Sequence, residues 1–170
     1  MVIGDRALTL EVRPELREIE GGRLRDIPED AVETAFVGAF AAGLDRESRF
    51  LGGETFGALV DRVVPAFRDL CAAPGWRQLL IVAHGGVNRA ILLDALGAGL
   101  ASFGALEQDA ACINIVDVEG QGDDLRLIVR LLNYTPYNEQ KLGLDLTTME
   151  RLYRRYRPDR AGDGTGAGAH

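Results

Sequence analysis

The sequence predicts an α/β fold in three layers, with a mostly parallel open sheet flanked by helices. The main evidence is the run at residues 78–83, a short continuous apolar segment typical of strands that helices bury on both faces. The run passes through His84-Gly85-Gly86 into residues 87–96, whose helical periodicity ends at Gly97. A strand, a glycine turn and a helix in this order are the unit from which parallel sheets are built.

The N-terminal quarter of the chain predicts a strand, a loop and a helix. Residues 8–13 alternate and are rich in strand-forming types, which indicates a strand that ends at Pro14. Residues 15–22 contain three Glu and end in two glycines, and therefore predict a loop. Pro28 suits the first turn of a helix, and the Ala-rich segment behind it extends that helix to Gly43.

A second helix with one apolar face is predicted from Thr55, a suitable N-cap, to Leu70, and Pro74-Gly75 breaks it. Residues 111–118 and 125–132 flank an acidic, glycine-containing turn and predict a hairpin-like pair of edge strands.

The last predicted helix begins at the capping box of residues 147–150 and ends near Pro158. We expect residues 1–157 to form one domain and residues 158–170 a disordered tail, because the Gly/Ala/Asp-rich tail has too little apolar area to bury. No apolar run is long enough to span a bilayer and the first residues do not form a secretory signal, so we expect a cytoplasmic protein with no membrane partner.

Charge and residue usage exclude several kinds of site. The net charge is −7 and Lys141 is the only lysine among the 19 basic residues, which argues against nucleic acid as a partner. Cys71 and Cys112 have no motif spacing and are expected to be small buried hydrophobes. His84 and His170 are the only histidines, so a zinc site with several His ligands is excluded, and we expect no metal and no cofactor.

His84 is the most informative residue of the sequence. It lies where a predicted buried strand passes into a helix, and ligands of open α/β folds bind at this edge of the sheet. The glycines behind it allow an anion to approach the backbone, and a helix N-terminus offers unpaired N–H groups. This pattern suits phosphate, although a histidine that satisfies a local hydrogen bond at a turn is an alternative.

Glu18 is the second candidate, because its carboxylate follows a predicted strand end and can lie at the same edge of the sheet. Partial burial would allow it to act as a general acid. An acidic surface loop without any role explains the three Glu of this segment equally simply. Residues 97–104 resemble a dinucleotide fingerprint only loosely, and neither a serine-hydrolase elbow nor a phosphate loop ending in Gly-Lys-Ser/Thr is present.

Taken in order, these segments resemble the histidine phosphatase (phosphoglycerate mutase-like) superfamily. The resemblance is carried by Pro14-Glu15-Leu16-Arg17-Glu18-Ile19 with Gly22, by Gly53-Glu54-Thr55 and Arg62-Val63, by Ile81-Val82-Ala83-His84-Gly85-Gly86, and by Leu132-Asn133. It implies a phosphoglycerate mutase-like fold and phosphomonoester hydrolysis through a phosphohistidine.

The resemblance also implies roles for three residues. His84 matches the second histidine of the family, which hydrogen-bonds the phosphoryl oxygens and stabilises the transition state. Glu18 matches the proton donor to the leaving group, and Gly85 would present its backbone N–H to the phosphate. Arg17 is expected to be a structural or rim residue.

One part of the family pattern is missing. The nucleophilic histidine belongs to an Arg-His-Gly motif, which does not occur in the 170 residues, and neither does the later phosphate-binding arginine. Both would precede Met1, so we expect the chain to be N-terminally incomplete and inactive as written.

Three functions remain open from the sequence: a phosphatase, which the absence of a mutase-type substrate loop favours; a non-catalytic phosphate-binding or interaction module; and a phosphoglycerate mutase. The expected partner is a small phosphorylated substrate or inorganic phosphate. Strand edges left unpaired by the missing segment would favour homo-oligomers.

Overall fold

The structure is a computed structural model that describes residues 10–40, 43–120 and 122–156. The predicted tail at residues 158–170 lies outside these ranges. Among the described residues the α-helices are α1 (Val32–Val37), α2 (Phe56–Ala72), α3 (Gly85–Leu96) and α4 (Thr148–Tyr156), and the strands are β1 (Ile113–Glu119) and β2 (Arg126–Tyr134). Single turns of 3₁₀ helix lie at Pro14–Leu16, Leu24–Asp26, Glu29–Ala31, Gly38–Phe40 and Gly122–Asp124, and a longer one at Leu100–Ala105.

Local signals placed α2, α3 and α4 correctly. The Thr55 side chain accepts a hydrogen bond of 3.1 Å from the Ala58 N–H, which is the predicted N-cap of α2. Gly97 follows α3 with a left-handed φ of 63°. At α4 the Glu150 carboxylate accepts from the Thr147 N–H at 2.7 Å, and the Thr147 hydroxyl accepts from the Glu150 N–H at 3.2 Å, which confirms the capping box.

The first predicted helix is shorter than expected. Pro28 does not begin an α-helix but precedes a 3₁₀ turn with an extended ψ of 140°. The α-helix itself starts at Val32, and it gives way to 3₁₀ geometry at Gly38, whose N–H is shared between the carbonyls of Thr34 and Phe36. Because glycine is a poor helix former, the α-helical ladder is weakest at this point.

The sheet differs most from the prediction. Strands β1 and β2 pair antiparallel, as expected for the hairpin-like pair, and form a two-stranded sheet. The mostly parallel three-layer sheet is not formed by the described residues, and neither the segment 10–13 nor the segment 78–83 is a strand. A strand needs a hydrogen-bonded neighbour, and neither segment has one in the described part of the chain. Several of their apolar side chains are correspondingly exposed, 77% for Val12 and 84% for Val82, whereas Ile81 and Ala83 are partly buried.

Helices α2 and α3 enclose the main core and thereby fix the N-terminal end of α3. The core consists of Ile19, Phe56, Leu59, Val63, Phe67, Cys71, Val87, Ala90, Ile91, Leu93 and Phe103. A smaller cluster joins α1 to α4 through Val32, Phe36, Ala39, Met149 and Tyr153. None of the helices in the described ranges combines the length and apolar character needed to cross a membrane.

Candidate functional site

The Glu18 carboxylate lies against the N-terminal end of α3. The Gly86 N–H donates to both carboxylate oxygens at 3.1 Å, and the Ile19 N–H donates to Oε1 at 2.9 Å. The structure therefore brings together Glu18 and the turn that follows His84, which are far apart in the sequence. An anionic side chain at this place also interacts favourably with the helix dipole.

A glycine is required at position 86 for this contact. A Cβ on Gly86 would lie 2.5 Å from Glu18 Oε1 and 3.3 Å from Ile19 Cγ2. Any larger residue would push the carboxylate away from the helix. The second glycine of the His-Gly-Gly sequence thus has a steric explanation in addition to its backbone N–H.

His84 is the N-cap residue of α3 and is exposed to solvent. Its carbonyl accepts from the Asn88 N–H at 2.9 Å, but its side chain makes no capping hydrogen bond. The imidazole is therefore available to a ligand at the helix end. Gly85, the first residue of α3, adds an N–H group without an intrahelical acceptor.

Arg62 holds the loop that carries Glu18. From α2, its guanidinium donates to the backbone carbonyls of Glu15 and Arg17 at 2.7 Å and of Glu18 at 3.1 Å. It also binds the Glu54 carboxylate through two bonds of 2.7 and 2.8 Å. This bidentate pair is mostly buried, with 13% and 10% of the two side chains exposed.

Glu54 completes this support of the loop. Its Oε2 atom accepts from the Glu20 N–H at 3.1 Å, and its own N–H donates to the Glu20 carbonyl at 2.8 Å. The hydrogen bonds from Arg62 are the largest cause that holds the pKa of the Glu54 carboxyl below its usual range, and burial opposes them. Gly53-Glu54-Thr55 is thus more than a helix cap.

A second polar cluster lies beyond α3, around the buried carboxylate of Asp109. Arg151 from α4 donates to it at 2.6 Å, Lys141 at 3.0 Å and the Asn133 amide at 3.0 Å. The Asp109 N–H in turn donates to the Asn133 side chain at 2.8 Å. Burial raises the pKa of Asp109, but the hydrogen bonds from these cations outweigh it and hold the pKa below its usual value. This cluster joins the sheet to α4.

We expect the free energy of unfolding to fall at acid pH, and to fall less in the Asp109→Asn variant than in the wild type. The folded-state pKa of Asp109 lies below the unfolded value of about 3.9. Its contribution is therefore fully present above the unfolded pKa and is lost as the pH falls through the folded pKa. Urea unfolding from neutral pH down to about pH 3 measures the difference. Equal pH slopes for the two proteins would contradict the prediction.

The two cysteines have different environments. Cys71 is buried in the main core, and burial raises the pKa of its thiol to about 11, so it is the expected small hydrophobe. Cys112 is only half-buried, and its thiol lies 3.3 Å from Gln108 Oε1. Both are free thiols.

Two open depressions lie elsewhere on the described surface, one of about 530 Å³ lined by residues 24–29 with Val32 and Tyr156. The other, of about 300 Å³, lies between α1 and the segment around Leu51. Neither contains Glu18 or His84, whose site is an exposed turn instead of a closed cavity. The candidate site is therefore identified by its polar groups and not by a cavity.

Comparison with known proteins identifies the family of the chain. A sequence profile of the histidine phosphatase superfamily (branch 1) matches residues 1–130, and the chain belongs to this superfamily. No curated protein matches the chain significantly.

Three solved structures are similar. The α-ribazole phosphatase of Shigella flexneri is 26% identical with a TM-score of 0.59, and the match covers 78% of this chain and 64% of that one. A protein described as mycobacterial hydrolase 1 is 24% identical with a TM-score of 0.60, over 74% of this chain and 64% of its own. A mycobacterial glucosyl-3-phosphoglycerate phosphatase is 22% identical with a TM-score of 0.57, over 74% and 66%. The matches thus span less than two thirds of each neighbour.

Sequence reasoning missed that Arg62 clamps the loop that carries Glu18, and it missed the pair of Arg89 and Glu107 and the buried acceptor Asp109. Arg62 is part of the motif Arg62-Val63, and Arg89 has a signal of another kind. It is a charged residue between Val87 and Ala90, where helical periodicity predicts an apolar one.

Proposed function

We propose that this chain provides the phosphoryl-binding part of a phosphatase-type histidine phosphatase. The proposal is carried by the meeting of Glu18 with the turn behind the exposed His84 at the N-terminus of α3. Here His84 hydrogen-bonds phosphoryl oxygens and stabilises the charge of the transition state, while the Gly85 N–H and the helix dipole add to the same field.

Glu18 is the proton donor to the leaving alkoxide in this proposal. The substrate is a small phosphomonoester, as the names of two neighbours, an α-ribazole phosphatase and a glucosyl-3-phosphoglycerate phosphatase, indicate for those proteins. The phosphohistidine step requires a nucleophilic histidine that residues 1–170 do not include, since Arg-His-Gly is absent from them.

The exposed apolar side chains of the segments 10–13 and 78–83 support the same proposal. Leu10 is 77% and Leu80 is 68% exposed, which is unusual for residues in runs of strand-forming types. We propose that both segments become strands of the mostly parallel sheet when further strands pair with them. Without such strands the chain is expected to self-associate, which sedimentation at increasing concentration tests.

Inorganic phosphate is expected to shift the imidazole signals of His84 and not those of His170 in NMR spectra. Because the chain has two histidines, the His170→Ala variant assigns the two signals directly and serves as the matched control. The His84→Ala variant is expected to weaken phosphate binding about tenfold or more, the cost of a lost charge-assisted hydrogen bond. If phosphate moved neither signal, the proposed function would be wrong.

A turnover assay tests whether the chain catalyses by itself. The chain alone is expected not to hydrolyse p-nitrophenyl phosphate, because residues 1–170 contain no Arg-His-Gly motif to supply the nucleophilic histidine. Turnover that is lost in His84→Ala would show that the chain is a complete catalyst with a different mechanism. A phosphate-binding module without catalysis remains the second candidate, and it is favoured by the absence of Arg-His-Gly from these residues.

A further inference from the structure

Arg89 is an arginine in an apolar environment. It lies on the buried face of α3, only 2% exposed, among Val87, Ala90 and Ile91 of the main core. Removing a guanidinium from water is costly unless its charge and its donors are satisfied. A methionine of similar length would fill the same space without this cost, so the charge itself calls for an explanation.

The guanidinium is not fully satisfied by its neighbours. Nη2 donates to Glu107 Oε1 at 3.1 Å, and the Cζ atom lies 4.6 Å from the centre of the Phe40 ring. The buried Nε atom has no hydrogen-bond partner among the described residues. Burial lowers the pKa of Arg89, and the Glu107 carboxylate partly offsets this effect.

The guanidinium lies directly behind the turn of the proposed phosphate site. A Cβ on Gly85 would lie 3.2 Å from Arg89 Nη1, so glycine is the residue that lets the cation reach this position. Glu107, its partner, is 34% exposed and also accepts from the Thr148 hydroxyl and the Gln108 N–H. This carboxylate therefore shares its charge among three donors and neutralises the guanidinium incompletely.

We propose, on the basis of the proposed function, that Arg89 is a positioning residue. Its positive charge lies behind the phosphate-binding turn and raises the electrostatic potential there. It acts through the Gly85 backbone, without touching the ligand, and adds its positive potential to that of the α3 N-terminus. Because the Arg89 side chain is buried, water and salt screen its charge less than they screen the charge of an exposed arginine. Glu107 sets how much of this potential reaches the turn.

The test compares charge variants on both sides of the ion pair. Phosphate affinity is measured by NMR titration of the His84 signal, and folding by urea unfolding of the same samples. Arg89→Met is expected to weaken phosphate binding about tenfold, and Arg89→Lys to restore most of that loss. Glu107→Gln keeps an acceptor for Thr148 but removes the negative charge, and is expected to tighten binding about threefold even though it lowers stability.

The test is decided by whether Arg89→Met and Glu107→Gln change the phosphate affinity in opposite directions. If Arg89 were only a packing residue, Glu107→Gln would weaken phosphate binding or leave it unchanged, and that result overturns the inference. An Arg89→Met variant that binds phosphate like the wild type would overturn it as well. Arg68→Met is the matched control, because it removes another arginine that pairs with α3, at Asp94, and is expected to leave the affinity unchanged. If phosphate left the wild-type spectrum unchanged, the proposed function and this inference would both be wrong. If the wild type bound phosphate normally but Arg89→Met and Glu107→Gln changed the affinity in the same direction, only the inference would be wrong.

Discussion

Replacing Arg62 by methionine is expected to lower the free energy of unfolding by about 3–5 kcal/mol, as is typical when one partner of a buried ion pair is removed. The variant leaves the Glu54 carboxylate without its bidentate partner and three loop carbonyls without a donor. The loop that carries Glu18 would lose its attachment to α2. Urea unfolding of the two proteins under the same conditions measures the effect.

Arg46→Met is the matched control for this prediction. Arg46 also pairs with a carboxylate of α2, Asp61, but both side chains are more than half exposed, at 58% and 64%. Exposed pairs contribute about 0–1 kcal/mol, so the control is expected to be nearly neutral. Equal losses in the two variants would mean that burial of the Arg62 pair has no special importance.

Replacing Gly53 by alanine is expected to destabilise the chain by about 3 kcal/mol, because the new methyl group has no room. A Cβ at this position would lie 2.2 Å from the Glu20 carbonyl oxygen and 2.5 Å from the Gly22 nitrogen. Both are backbone atoms of the segment behind Glu18 and cannot move aside independently. Thermal unfolding measures the loss as a lowered Tm.

Gly38→Ala provides the contrast for Gly53. A Cβ at position 38 meets nothing within 4 Å, and the backbone is helical with φ −83°. Alanine there is expected to leave stability unchanged or to raise it by about 0.5 kcal/mol, since it restricts the unfolded chain. A loss as large as that of Gly53→Ala would show that crowding is not the cause.

Elements with local signals were predictable from the sequence. Thr55, Gly97 and the pair Thr147 and Glu150 bind the backbone within one turn of their own positions, so their geometry depends little on the rest of the chain. The segment 78–83 shows the opposite case. Its apolar composition predicts a strand, yet a strand also depends on a neighbour that composition does not supply.

The candidate site likewise has a part that the sequence predicts and a part that it does not. His84 was noticeable because a histidine between an apolar run and two glycines is an unusual local pattern. The contact of Glu18 with Gly86, the clamp by Arg62 and the charge behind Gly85 join residues that are distant in the sequence. No short-range pattern indicates such contacts.

By itself, the sequence determined the presence of α2, α3 and α4 with one capped end of each, the antiparallel pair β1 and β2, and the superfamily, because capping, periodicity and motif order are properties of neighbouring residues. Only the tertiary structure decided which side chains support the turn at His84. Arg62 and Arg89 are both arginines in helices, and what separates them from exposed arginines is burial against a specific backbone segment, which arises when the helices pack.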